Sequence, residues 1–171
     1  MTFATAGAAG APFTGNITST GIAAIPVNSD IAKVDGGDIV RFAVLVENVG
    51  SASGGAFDVS VKDLIPAGFE AVVGNLNFSV RDGNGNVLGF TDLGGGPNAD
   101  TGAGLFGNGI RIDDAVGQGS LHMFNGTAGD NIAVVTYDLR ATTALEVGST
   151  ATTNATLFNY SSGEGLSLIH I

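Results

Sequence analysis

Cysteine and tryptophan are both absent from the 171 residues. Without cysteine there is no disulfide scaffold and no thiolate zinc site, so stability has to come from other contacts. Without tryptophan, and with only two tyrosines, the chain has little aromatic surface for stacking on sugars. Basic residues are scarce as well: six Lys and Arg face 16 Asp and Glu, for a formal net charge of −10. Such a surface repels phosphate backbones, and no Lys/Arg cluster offsets it, so nucleic acid is not an expected partner. It suits a solvated extracellular protein or a binder of divalent cations. No run of about 18 apolar residues occurs, so no helical membrane span is expected. The first 11 residues lack a basic start, and if the protein is exported its signal is expected to lie outside this chain.

The residues that are abundant point to β structure. Hydrophobic residues make up 44% of the chain and are skewed toward Val, Ile, Phe and Ala, with many threonines. β-Branched and aromatic side chains fit a pleated, half-buried surface. Twenty-eight glycines, many beside Asn, Asp or another Gly, punctuate the chain without a three-residue period. That pattern excludes collagen, and the hydrophobic content excludes outright disorder. Short strands joined by tight turns remain, and the length suits one domain with one core.

Along the chain, residues 1–21 read as a linker or the tail of a preceding unit, and 22–34 as an edge strand interrupted by Pro26. The stretch 39–48 is a strong strand, with Val40, Phe42, Val44 and Val46 expected inward and Arg41 and Glu47 outward. Phe57, Val59 and Val61 alternate inward in the next strand, Asp63 shares their parity, and Lys62 points out. Short strands are expected at 69–73 and 76–80, and a hairpin tip at 81–86, where Asp-Gly and Asn-Gly tolerate positive φ. Residues 87–90 would return from that tip. A long glycine-rich loop follows at 93–109, then short strands at 110–112 and 121–124 and longer ones at 132–140 and 151–160. No segment carries a helical period, and the count of strands predicts an all-β sandwich.

Three stretches stand in order: Gly37-Asp38-Ile39-Val40-Arg41-Phe42 running on to Val46-Glu47-Asn48-Val49-Gly50, then Val61-Lys62-Asp63-Leu64-Ile65-Pro66-Ala67-Gly68-Phe69, and finally Thr153-Asn154-Ala155-Thr156-Leu157. In this order and spacing they resemble the Ig-like conserved repeat of bacterial and archaeal surface proteins, catalogued as domain of unknown function eleven. That pattern runs Gly-Asp, a strand ending Asn-x-Gly, then Val-x-Asp-x-Leu-Pro-x-Gly, and Asn-x-Ala near the last strand. The resemblance covers 22–162, with an enlarged middle at 74–129. It implies an immunoglobulin-like antiparallel β-sandwich with Greek-key connections and a long inserted middle.

Related fimbrial domains form a Lys–Asn isopeptide crosslink promoted by a buried acid. The resemblance would assign those roles to Lys33, Asp63 and Asn154. The reaction needs a desolvated, neutral amine and a carboxyl group to move protons. Asn154 directly precedes Ala155, one residue closer than in the pattern, which turns it toward the outer face. The alternative is a solvated Lys33, an Asp63 that binds turn amides and a surface Asn154.

Calcium is the cofactor the acidic turns would take. Asp82, Asn84 and Asn86 alternate with glycines as at the start of a calcium loop, and Asp92 stands where a closing Glu would be. Asp113-Asp114 is a further acidic pair. The competing explanation is that these residues are chosen for turn conformation. Catalysis has little support. His122 and His170 are the only histidines, and His122 reads as a strand residue without a special partner. Residues 117–120 (Gly-Gln-Gly-Ser) lack the strand-to-helix context of a nucleophile elbow, so no enzyme is expected. Asn-x-Ser/Thr sequons fall at Asn16, Asn77, Asn125, Asn154 and Asn159. Residues 163–171 read as a tail. Its 165–171 portion resembles translated sequencing-adapter read-through and is expected to be non-native, with the natural chain continuing past Glu164.

The expected function is a structural stalk or repeat module of a large secreted or cell-surface protein, with neighbouring repeats as partners. One alternative is an adhesin module binding a glycan or surface protein through loops such as 93–109. Another is a filament subunit donating residues 1–34 as a strand.

Overall fold

The computed structural model describes residues 15–24, 34–146, 148 and 151–164. Among them are eight strands: β1 (Ile39–Glu47), β2 (Phe57–Lys62), β3 (Phe69–Glu70), β4 (Ser79–Asp82), β5 (Phe90–Asp92), β6 (Ile110–Ile112), β7 (Ile132–Ala141) and β8 (Thr156–Ser161). They form two antiparallel sheets. In the first, β7 lies between β1 and the β3/β4 side; the second has the order β5-β6-β2-β8. The protein is therefore all-β in class, with two sheets closing on a shared core.

The longest ladder joins the two strands whose patterns are clearest in the sequence. β1 and β7 pair over nine positions, from Ile39 opposite Arg140 to Glu47 opposite Ile132. Val40 and Val44 are buried, and Phe42 and Val46 pack partly buried against the core. Phe57, Val59 and Val61 are buried from the facing sheet, as period-two alternation requires. Residues from both sheets and the connecting loops fill the centre, including Leu76, Val80, Leu105, Ile110, Ile112, Leu121, Val135, Tyr137 and Leu139. Fully burying each large aliphatic side chain contributes about 1.5–3 kcal/mol. Tyr137 anchors an aromatic cluster, stacked on Phe42 at 5.6 Å and met edge-on by Phe106 at 5.0 Å.

β7 is buried along its whole length except at Arg140. Its near-continuous apolar run has the composition of a strand covered on both faces. Ala133, Val135, Tyr137 and Leu139 face the main core, while Ile132 and Val134 join Ile17, Ile22 and Leu45 in a second apolar cluster. This second layer corrects two expectations. Arg41 does point away from the main core, but that face is covered, and the side chain is buried and ion-paired to Asp138. Ile22 lies on a short helix, α1 (Ser19–Ala24), and not on an edge strand. Thr18 starts that helix, accepting the Gly21 amide on its hydroxyl oxygen and the Ile22 amide on its carbonyl, as N-terminal caps do. Residues 15–21, within the stretch read as a linker, are tied to the sheet where Ile17 N–H donates to Gly83 O at 2.7 Å.

Other expected strands shrink. Residues 69–73 contribute only Phe69–Glu70, and 76–80 shift to Ser79–Asp82, because Leu76 is used as a core plug ahead of the strand. The tip at 81–86 is a tight turn, closed by Gly85 N–H to Asp82 O at 3.0 Å with Gly85 at φ 87°. Its return makes one bridge, Arg81 to Val87, before the chain crosses to the other sheet and becomes β5. Residues 121–124 are reduced to a single bridge between Leu121 and Ala56. The glycine-rich loop carries a 3-10 turn, Ala103–Phe106, that drives Ala103 and Leu105 into the core. No helix among the described residues is long and apolar enough to cross a membrane.

Candidate functional site

The most heavily buried acid from the sequence reading is Asp63, 1% exposed at the end of β2. Its backbone amide donates to Leu105 O at 2.8 Å, which ties β2 to the 3-10 turn. The Tyr137 hydroxyl donates to Asp63 Oδ2 at 2.6 Å, and the Leu64 amide to Oδ1 at 2.7 Å. The Thr153 hydroxyl also reaches Oδ1 and lies 3.0 Å from Leu64 O. Burial, and then the charge of Asp63 and its hydrogen bond, push the Tyr137 phenol far above its ordinary range. Tyr137 therefore stays a neutral donor, and the carboxylate locks β2, β7 and the approach to β8 together.

Of the crosslink candidates, Lys33 lies outside the described residues. Asn154 is exposed, and it is its neighbour Thr153 that turns to Asp63. Lys62 is exposed on the opposite face, its ammonium 5.8 Å from the Phe158 ring centroid.

The residues offered for calcium occupy two places. Asp82 ends β4 in the first sheet and Asp92 ends β5 in the second. Asp82 is buried; its Oδ1 accepts the amides of Asn84 at 2.9 Å and Asn86 at 2.8 Å, and its Oδ2 accepts the Asn86 side-chain amide at 2.8 Å. Both oxygens thus serve the turn. Asp92 does the same for the glycine-rich loop, accepting the amides of Gly94 at 2.8 Å, Gly102 at 2.9 Å and Gly104 at 3.2 Å. A Cβ on Gly104 would collide with Asp92 Oδ1, so the cradle needs glycine there. Among the described residues, no group of three or more His, Cys, Asp or Glu side chains converges as a metal cage would.

The same use of carboxylates recurs elsewhere. Asp100 accepts the Gly74 amide at 2.8 Å, and Asp114 accepts the amides of Ser120 at 2.9 Å and Asp58 at 3.2 Å. Asp113 accepts the Thr91 hydroxyl at 2.8 Å. A carboxylate accepting backbone amides makes strong charge-assisted bonds. In this cysteine-free chain these bonds fasten distant loops.

Two polar groupings were not anticipated from the sequence. Arg41 Nε and Nη2 donate to Asp138 Oδ1 and Oδ2 at 2.6 and 3.0 Å, and Asn77 Nδ2 adds a bond to Oδ2 at 2.8 Å. Arg41 and Asp138 are opposed in register, so aligning the two strands would have brought the pair to light. His122 has a partner after all: its Nδ1 lies 2.9 Å from Asp130 Oδ2. Ser120 in the Gly-Gln-Gly-Ser turn directs its hydroxyl to Ala56 O at 3.3 Å. Of the sequon asparagines, Asn16, Asn77, Asn125 and Asn154 are exposed. Asn77 donates its amide to Asp138, and Asn125 Oδ1 accepts the Thr127 amide at 3.1 Å.

No family model, no curated protein and no solved structure matches this chain.

Proposed function

We propose that this chain is an immunoglobulin-like, Greek-key module of a large secreted or cell-surface protein, and that its role is to hold shape and spacing. The observation that carries the reading is that Gly37, Asp38, Asn48, Asp63 and Thr153, drawn from all three motifs, make hydrogen bonds that fasten the fold. Gly37 donates its amide to Ala141 O at 2.7 Å, and Asp38 accepts the Asp35 amide at 2.9 Å, closing the turn into β1. Asn48 accepts the Gly50 amide at 2.9 Å and donates to His122 O at 2.7 Å, joining the far end of β1 to a second loop. Asp63 and Thr153 join the remaining two motifs to each other. Residues that set a catalytic reaction are commonly left poised toward a cleft; these are directed into turns. The motif resemblance, an acidic exterior and a nine-position ladder between long strands all agree with a load-bearing bead.

Stretching a tandem polyprotein of this chain tests the proposal. Each copy is expected to unfold in one cooperative event at a well-defined force, with Asp63→Ala lowering that force. Extension without a resolved force peak would defeat the reading.

Val49, Met123 and Phe124 favour a second role as a loop-borne binding module. They are exposed on adjoining loops held together by Phe124 N–H to Gly50 O at 2.8 Å. Exposed apolar side chains grouped this way mark contact surfaces. A glycan array and a surface-protein panel, each repeated with Phe124→Ser, would reveal binding that depends on this patch.

A further inference from the structure

We propose that Asn125 is a self-modifying site, where the side-chain amide is exchanged for a carboxylate by reaction with water alone, so that a negative charge enters the exposed apolar patch beside it. This inference does not rest on the module reading above. An asparagine followed by glycine carries its own nucleophile. The next backbone nitrogen can attack the side-chain carbonyl carbon without a bimolecular encounter, and glycine has no Cβ to hinder the approach. Three such pairs occur in the chain: Asn84-Gly85, Asn108-Gly109 and Asn125-Gly126.

The fold holds two of them back. Gly85 donates its amide to Asp82 O at 3.0 Å, and Gly109 donates to Gly104 O at 2.7 Å. Asn108 is fixed at its side chain as well, through Nδ2 to Leu93 O at 3.0 Å. A nitrogen whose N–H is committed has to be released before it attacks. Gly126 differs: its carbonyl accepts the Thr20 amide at 3.1 Å, but its own N–H has no acceptor among the described residues. Asn125 is exposed, and its Oδ1 accepts the Thr127 amide at 3.1 Å, the Thr127 hydroxyl at 3.1 Å and the Ala128 amide at 3.3 Å. All three donors follow Gly126 in the chain, so they bend the side chain forward over the peptide that carries the nucleophile.

The same donors serve the chemistry. When Gly126 N adds to Cγ, negative charge develops on Oδ1, and donors already aimed at that oxygen stabilise it as an oxyanion hole does. The Cγ–Nδ2 bond then breaks, and Nδ2 leaves as ammonia with the proton from Gly126 N. The new N–Cγ bond closes a five-membered succinimide. Water opens that ring at either carbonyl and leaves aspartate or isoaspartate, so nothing is oxidised or reduced. The product carboxylate stands next to Phe124 and Met123, which are exposed with Val49 on the adjoining loop. An apolar contact surface thereby becomes a charged one as the protein ages.

Peptide mapping by mass spectrometry tests this, on full chain aged for weeks at mildly alkaline pH, either folded or held unfolded in urea. Fresh protein is expected to have the calculated mass. In the folded chain Asn125 should convert first, roughly fivefold or more ahead of Asn84 and Asn108, the factor that one committed hydrogen bond imposes. In urea the three rates should converge. The transient succinimide, one ammonia lighter, maps to Asn125 within a single peptide, which distinguishes it from a crosslink between two. Thr127→Val removes the hydroxyl donor and is expected to slow conversion severalfold in the folded chain while leaving the rate in urea unchanged. If that variant does not fold, the contrast between folded and unfolded forms of the unaltered chain decides the matter. An Asn125 that converts in urea but not when folded, equal rates at the three pairs in the folded chain, or a folded Thr127→Val that converts as fast as the unaltered protein would each overturn the proposal.

Discussion

Tyr137 and Asp63 hold one of the most consequential bonds in the molecule, a neutral phenol donating to a carboxylate inside the core. The folded state raises the phenol above its ordinary value of 10.0. Above about pH 10 the unfolded chain therefore releases a proton that the folded chain keeps, and stability falls as pH rises, by up to about 1.4 kcal/mol per pH unit. This contribution is fully present below the unfolded value. Tyr137→Phe is expected to cost about 1–3 kcal/mol near neutrality, by leaving a buried carboxylate oxygen short of a donor, and to flatten the alkaline slope. Urea melts of both proteins between pH 7 and 11 would measure both effects. Arg41 and Asp138 make a second test. Arg41→Ala strands a buried carboxylate and is expected to cost about 3–5 kcal/mol, whereas the double change Arg41→Met with Asp138→Leu should cost much less. Denaturant midpoints of the single and double variants give the comparison. The alternation of β1 placed Arg41 on the correct face in the sequence. Its burial was not legible there, because period two assigns a face and says nothing of what covers it.

At the scale of elements, the loops are as instructive as the strands. Asp92 holds the turn that carries Leu105 into the core, through three backbone amides. Asp92→Ala is expected to destabilise the protein by about 1–3 kcal/mol, the penalty for unpaired amides. Hydrogen exchange should then show the loss centred on residues 94–105, with β7 spared. The long strands β1, β2 and β7 were readable because alternation or continuous hydrophobicity extends over six residues or more. The short ones were not. Where two or three residues pair, neighbours across the sheet decide the outcome, and local preference is overridden. The helix at Ser19–Ala24 escaped notice for a related reason, since a stretch of six residues is too short to display a 3.6-residue period.

For the molecule as a whole, the acid excess has an intramolecular use. Carboxylates of Asp82, Asp92, Asp100 and Asp114 accept amides from their own turns and from loops brought close by folding. Adding millimolar calcium, or a chelator, is therefore expected to leave the thermal midpoint unchanged, since Asp82 would have to give up its turn to take a cation. A midpoint that rises with calcium concentration, read by differential scanning calorimetry, would show that one of these turns opens to bind. An intact mass equal to the calculated one is likewise expected, because Asp63 is engaged by Tyr137 and Thr153 while Asn154 is exposed. Loss of one ammonia would reveal the crosslink.

Composition and periodicity alone determined that this chain is built of strands, which residues of β1 and β2 turn inward, and that Asp63 goes with them. Those properties are written in nearest-neighbour order, and two-residue alternation survives any tertiary arrangement. Only the tertiary structure decided the partners: Thr153 rather than Asn154 at Asp63, Asp138 for Arg41, Asp130 for His122, and backbone amides for the acids of the turns. Hydrogen bonds and ion pairs act over a few ångströms between residues far apart in the chain, so folding must bring the donors and acceptors together before their chemistry can be read.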